Sequence, residues 1–109
     1  MEYKFEIGQG KLRVVVPREL DHHLAVQLKE EADLLIETYH VKTLVFDFSN
    51  TEFMDSSGIG VLIGRSRNLS FSGGNVVAVN LSPRVEHIFR ISGLQRLITV
   101  LPAETKQEV

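Results

Sequence analysis

Thr43-Leu44-Val45-Phe46-Asp47-Phe48, followed four residues later by Phe53-Met54-Asp55-Ser56-Ser57-Gly58-Ile59-Gly60-Val61-Leu62-Ile63-Gly64, is the stretch on which the fold turns. Its first part is almost wholly apolar, the composition of a strand covered on both faces of a sheet. From Ile59 the apolar residues recur at helical spacing. A helix over residues 57–69 puts Ile59, Leu62, Ile63 and Ser66 inward and Arg65 and Arg67 outward. Between the two lies Asp55-Ser56-Ser57-Gly58, a carboxylate and two hydroxyls. They stand where a helix leaves backbone N–H groups free and presents the positive end of its macrodipole. That setting tolerates an added phosphate.

The pattern continues in both directions. Towards the N-terminus, Tyr3-Lys4-Phe5-Glu6-Ile7 alternates as a half-buried strand, Gly8-Gln9-Gly10 supplies a turn, and Lys11-Leu12-Arg13-Val14-Val15-Val16 forms the second arm of a hairpin closed by Pro17. Asp21 is placed to cap a helix whose Leu24, Ala25, Leu28, Ala32, Leu35 and Ile36 share one face, with Lys29, Glu30, Glu31 and Glu37 largely opposite. Towards the C-terminus, Ser72-Gly73-Gly74 ends the central helix and Asn75-Val76-Val77-Ala78-Val79-Asn80 reads as another buried strand. Ser82-Pro83 opens a third helix with Val85, Ile88 and Phe89 inside, and Gly93-Leu94 closes it as a left-handed cap. Residues 97–101 read as the last strand, and the polar tail 102–109 as a short helix or a frayed end. With no linker, repeat or low-complexity segment, residues 1–109 make one α/β domain. The order is β-β-α-β-α-β-α-β, with helices on a mixed sheet of about five strands.

Composition narrows the functions open to such a domain. Hydrophobic residues are 43% and charged residues 24% of the 109, the balance of a globular chain with one core. A net charge of −2 leaves no broad basic field, so no nucleic-acid partner is expected. No apolar run nears the roughly 18 residues that cross a bilayer, and the N-terminus lacks the apolar core of a signal peptide. No membrane partner is expected, and the cytoplasm is the expected compartment. Without cysteine there is neither a thiol catalyst nor a thiolate metal ligand.

Other chemistries fit the residues poorly. Asp, Ser and Gly before a helix are first of all capping residues. His22-His23 is no metal pair, because adjacent helical positions do not share a face and His40 and His87 are isolated. Gly58-x-Gly60 lacks the third glycine of a dinucleotide loop, position 63 being Ile. The nucleophile elbow of a serine hydrolase needs glycine two residues before the serine, where Met54 and Asp55 stand instead. A phosphate-binding nucleotide loop is absent. No enzyme, metal or cofactor is expected. Gly60 and Gly64 each cost about 1 kcal/mol of helix propensity, which suits either tight packing on the sheet or close access by a partner.

Three stretches together carry a likeness. Glu19-Leu20-Asp21-His22-His23, Phe53-Met54-Asp55-Ser56-Ser57-Gly58, and the run from Phe89 through Ser92-Gly93-Leu94 occur in the order and at the spacing of a known family. The chain resembles an anti-sigma factor antagonist of the STAS class, most of all the antagonist of the sporulation sigma F system. It departs at Arg18, where that group usually has glycine, and in its short C-terminus.

The resemblance implies a partner switch. The unphosphorylated antagonist would bind an anti-sigma factor that is also a serine kinase, freeing the sigma factor to direct transcription. The kinase, using its own ATP, would phosphorylate Ser56 and be released, and a serine phosphatase of the metal-dependent class would reset the protein. Glu19, Asp21, Asp55, Ser57, Gly58 and Gly60 would form the partner surface. The charge offers a physical reason: phosphoserine adds about −1.5 to −2 charges beside Asp55, and desolvating that dianion across an interface opposes binding. A STAS scaffold that is never phosphorylated, working inside a larger sensory complex, is the alternative. A transporter tail is not expected, since no membrane segment precedes the domain.

Overall fold

The computed structural model describes residues 3–104. β1 (Lys4–Gly8) and β2 (Lys11–Val15) form the expected antiparallel hairpin. Gln9 and Gly10 both have positive φ, 53° and 74°, the backbone that a two-residue turn needs to match the twist of its strands. Then follow β3 (Glu19–Leu20), α1 (His22–Thr38), β4 (Thr43–Asp47), β5 (Phe53–Met54), α2 (Ser56–Phe71), β6 (Asn75–Val79), α3 (Pro83–Ser92), a 3₁₀ turn (Leu94–Arg96) and β7 (Thr99–Val100). The main sheet has the order β1-β2-β4-β6-β7, antiparallel at β1–β2 and parallel elsewhere. The fold is the expected small α/β domain with three helices on a mixed five-stranded sheet.

Two elements were not visible as strands in the sequence. β3 and β5 are two residues each, too short to show a period, and pair in parallel with one another as Glu19↔Phe53 and Leu20↔Met54. This miniature sheet fixes where α1 and α2 begin, because each strand runs straight into its helix.

Leu12, Val14, Leu44, Phe46, Val76 and Ala78 point from the sheet into a core completed by Leu28, Ala32, Leu62, Leu69, Val85 and Phe89. Each large side chain buried there contributes roughly 1.5–3 kcal/mol. Phe48 meets Phe89 edge-on at 5.5 Å between centroids, tying α3 to the end of the sheet. The alternate residues are placed differently. Arg13, Thr43, Val45, Asn75 and Val77 line a trough of about 480 Å³ on the other sheet face. β4 is nevertheless buried along both faces, as expected: Val45 and Asp47 on the trough side are 8% and 7% exposed, and only Thr43 at its start is half-open. At the end of the trough, buried Asp47 accepts from Arg13 Nη2 (2.8 Å), Asn80 Nδ2 (3.1 Å) and the Ser49 N–H (2.9 Å). Burial pushes its carboxyl up, but these donors outweigh it and hold the group below the usual carboxylate value. Glu104 joins the same cluster through Arg13 Nη1 at 3.1 Å.

Three boundaries and one orientation differ from expectation. α2 starts at Ser56, one residue early, and runs on to Phe71. The last strand shrinks to Thr99–Val100 because Leu94–Arg96 winds into a 3₁₀ turn after the left-handed Gly93. In the tail, residues 102–104 have no regular structure, and residues 105–109 lie outside the described part. Arg65, expected outward, is buried at 5% exposure. α1 lies along the flank of α2 and gives it a second covered face, which Val61 and Arg65 share. Arg67 is exposed, as expected.

Candidate functional site

The starts of α1 and α2 stand side by side, each capped by an aspartate in extended backbone. Asp21 accepts from the Leu24 N–H at 3.0 Å, three residues into α1. Asp55 does the same for the Gly58 N–H of α2 at 3.0 Å. Its second oxygen reaches across and accepts from the His22 N–H at 3.0 Å. One carboxylate thus satisfies free donors of two helices. The backbone reinforces the link, since the Asp55 N–H donates to the Leu20 carbonyl at 3.2 Å. Two positive helix ends converge here, and negative charge is stabilised by both.

Gly58 makes this approach possible. A Cβ on it would stand 2.5 Å from the Leu20 carbonyl oxygen and 2.9 Å from Leu20 Cγ, and the residue is buried. Its expected place on the partner surface is therefore corrected: the missing side chain admits β3, not a partner. Gly60 and Gly64 behave otherwise. A Cβ at either would meet nothing within 4 Å, so neither is demanded by packing on the sheet. Both border a groove between α1 and α2.

The two hydroxyls differ in surroundings. Ser56 is exposed in the first turn of α2, while Ser57 is half-buried with its Oγ 3.1 Å from His22 Nδ1. His22 thus meets Ser57 and not Ser56. The carboxylate beside this pair, Asp55, bonds the His22 backbone and leaves the ring without an orienting acid. His23 turns away towards Gln27, at 3.3 Å. Glu19 and Asp21 are exposed on the same edge. Glu19 lies opposite Phe53, whose ring is half exposed. Arg18, one step back, pairs with Glu52 at 2.7 Å between exposed side chains. Such a pair adds little stability.

Sequence reasoning brought Glu19, Asp21, Asp55, Ser56, Ser57 and Gly60 to one end of the molecule, and the structure places them there together. It missed Phe53, the His22–Ser57 contact and Arg65. The signal for Arg65 was available: Ser57, Val61 and Arg65 recur every four residues and mark a second face of α2. Among the described residues no helix is long and apolar enough to cross a membrane. No group of three or more His, Cys, Asp or Glu among them could hold a metal ion.

Known proteins are similar to this chain in sequence and in fold. The chain is 30% identical to an anti-sigma F factor antagonist of Paenibacillus polymyxa over 104 residues, covering 95% of this chain and 89% of the relative. Its fold is similar to the solved structure of the anti-sigma factor antagonist SpoIIAA in its unphosphorylated form. The TM-score there is 0.75 at 26% identity, over 95% of this chain and 89% of that one. It is equally similar to the Bacillus cell fate determinant SpoIIAA in the phosphorylated form, with a TM-score of 0.74 at 30% identity over 91% and 90% of the two chains. A family model described as STAS domain matches residues 4–108. The chain belongs to the STAS domain family.

Proposed function

We propose that this protein is an anti-sigma factor antagonist that works by partner switching. Unphosphorylated, it binds an anti-sigma factor and so frees a sigma factor; phosphorylated at Ser56, it lets go. The anti-sigma factor is itself the serine kinase and brings the ATP, a metal-dependent serine phosphatase resets the switch, and the cycle runs in the cytoplasm. The observation that carries this reading is the contrast between the serines. Ser56 offers an exposed hydroxyl, whereas Ser57 is half-buried against His22. Asp55 already bonds both helix starts, so a phosphate on Ser56 need not dismantle the cap. The dianion gains from two helix ends in the free protein, and across a closed interface it has to be desolvated beside Asp55 and Asp21. Similarity to structures of an antagonist in unphosphorylated and phosphorylated forms supports the same cycle.

The test is incubation with the anti-sigma factor of the source organism and ATP, followed by peptide mapping and binding measurements. One phosphate on Ser56 is expected, with affinity for the kinase lost. Ser56→Ala should fold, bind and resist release. Phosphate on Ser57, or equal affinity of the phosphorylated and unphosphorylated forms, would overturn the assignment. A scaffold that is never phosphorylated would bind its partner and take up no phosphate.

A further inference from the structure

The groove between α1 and α2 starts at His22 and Ser57 and runs over Ala25, Val26, Gly60, Val61 and Gly64 to Lys29 and Arg65, enclosing about 360 Å³. Its near end belongs to the site already described. Its far end is unusual. The Arg65 side chain is 6% exposed, and its Nε and Nη1 protons have no hydrogen-bond acceptor. Asp33 Oδ1 stands 2.7 Å from Nε but off the N–H direction, an ion-pair contact without a hydrogen bond. The other Asp33 oxygen faces Lys29 at 3.4 Å. Two cations therefore share one carboxylate, and no acid lines the groove itself. A buried guanidinium with unmet donors is costly unless an acceptor arrives.

We infer that this groove is a docking slot for a helix of the anti-sigma factor, which inserts a carboxylate onto Arg65; this rests on the function proposed above. Three features favour that occupant. The unmet Arg65 donors and Lys29 call for an acid, and a planar guanidinium takes a carboxylate in two hydrogen bonds. The floor is apolar where Val26 remains 45% exposed, and Gly60 and Gly64 leave room for a helix backbone to approach. The slot is also continuous with Ser57, so one partner can span both ends. By helical rise, Arg65 lies about 12 Å along α2 from Ser57. The partner's acid therefore sits about two turns from whatever meets the Ser56 edge.

The experiment is binding of the source organism's anti-sigma factor to wild type, Gly64→Leu, Arg65→Met and Phe71→Ser, each checked by thermal unfolding. Gly64→Leu fills the slot from a position with free space around it, so its fold should stand even where Arg65→Met loosens the core. Both are expected to weaken binding about tenfold or more, as for a buried anchor. Phe71→Ser, at the far end of α2, should bind as wild type. In the Arg65→Met background, alanine substitution of one acidic residue of the partner should lose the effect it has on wild type. Wild-type affinity in a folded Gly64→Leu overturns the slot while leaving the proposed function intact. Failure of wild type to bind the anti-sigma factor at all overturns both.

Discussion

The chain passes from strand to helix through an aspartate at Leu20-Asp21-His22 and again at Met54-Asp55-Ser56, and the two junctions use the same cap for different ends. Each aspartate accepts from an N–H three residues on, at 3.0 Å. At the first junction the third residue is Leu24, an ordinary half-buried side chain. At the second it is Gly58, pressed against the Leu20 carbonyl of the first. The first aspartate bonds its own helix; the second bonds both. A plain cap has therefore been doubled into a brace, and the accessible serine is carried on the braced junction. On the function proposed above, a site that gains and loses a dianion has reason to be held by more than one helix.

The comparison is broken most severely at Gly58. Gly58→Ala would force the two junctions apart, since a real Cβ does not approach a carbonyl oxygen to 2.5 Å. We expect a loss of about 2–3 kcal/mol in urea unfolding despite better helix propensity. Gly60→Ala, two residues on in open space, should instead gain about 0.5–1 kcal/mol. Equal effects at the two glycines would mean that β3 does not bear on α2.

The aspartates come next. Asp21→Ala removes one capping bond and should cost about 1 kcal/mol, whereas Asp55→Ala frees donors of two helices and should cost about 2 kcal/mol. Asparagine sharpens the distinction. Asp21→Asn keeps its cap and should be nearly neutral. Asp55→Asn keeps one acceptor but turns an NH2 group towards the second N–H, so it should lose about 1 kcal/mol. If both asparagines were neutral, the bond from His22 would carry no weight.

What the sequence disclosed follows from the same contrast. The Asp21 cap, the hairpin turn, the Ser82-Pro83 start and the Gly93 stop are local, each set by residues within one turn of one another, and they were legible. The second cap was legible only as a choice among Asp55, Ser56 and Ser57, because the sequence offers three capping residues in a row and the helix was begun one residue late. The brace is not local: Asp55 to His22 and Gly58 to Leu20 join residues more than thirty positions apart, through two strands of only two residues each. Arg65 was misplaced because a single helical period assumes one covered face, and α2 has two. The Arg13–Asp47–Asn80–Glu104 cluster was missed for a related reason. Its members meet only once the strands are in register, and none sits in a pattern of its own.

A third aspartate at a strand end, Asp47, supplies a smaller perturbation that should leave the junctions alone. Hydrogen bonds from Asn80, Ser49 and Arg13 outweigh the opposing effect of burial, and its carboxyl ionises below the ordinary value. Its stabilisation is therefore present above the unfolded carboxyl value, about pH 4, and is lost as pH falls through the lower folded value. Asp47→Asn should cost about 1 kcal/mol at neutral pH and flatten the acid limb of a stability profile. Neither the capping of α1 and α2 nor phosphorylation of Ser56 should change. An unchanged acid limb would show that Asp47 is not the carboxylate titrating there.

The smallest effect is expected where the two junctions face solvent. Glu19 is exposed beside Asp21, lies opposite Phe53 in register, and forms no ion pair among the described residues. Reversing its charge should move stability by no more than about 0.5 kcal/mol, the range of an ordinary surface substitution. Its influence lies in the encounter. If the acidic edge steers a basic patch on the anti-sigma factor, Glu19→Lys should slow association a few-fold at low salt while leaving dissociation nearly unchanged. The difference should close as salt rises, because exposed charges are screened over about 8–10 Å at ordinary ionic strength. Asp21→Asn offers the matched comparison, removing a charge from the same edge while retaining the cap. If both variants associate at the wild-type rate at two salt concentrations, the edge formed by β3 lies outside the interface. The partner then approaches from Ser56 and the α1–α2 groove alone, and the first junction meets it only through His22.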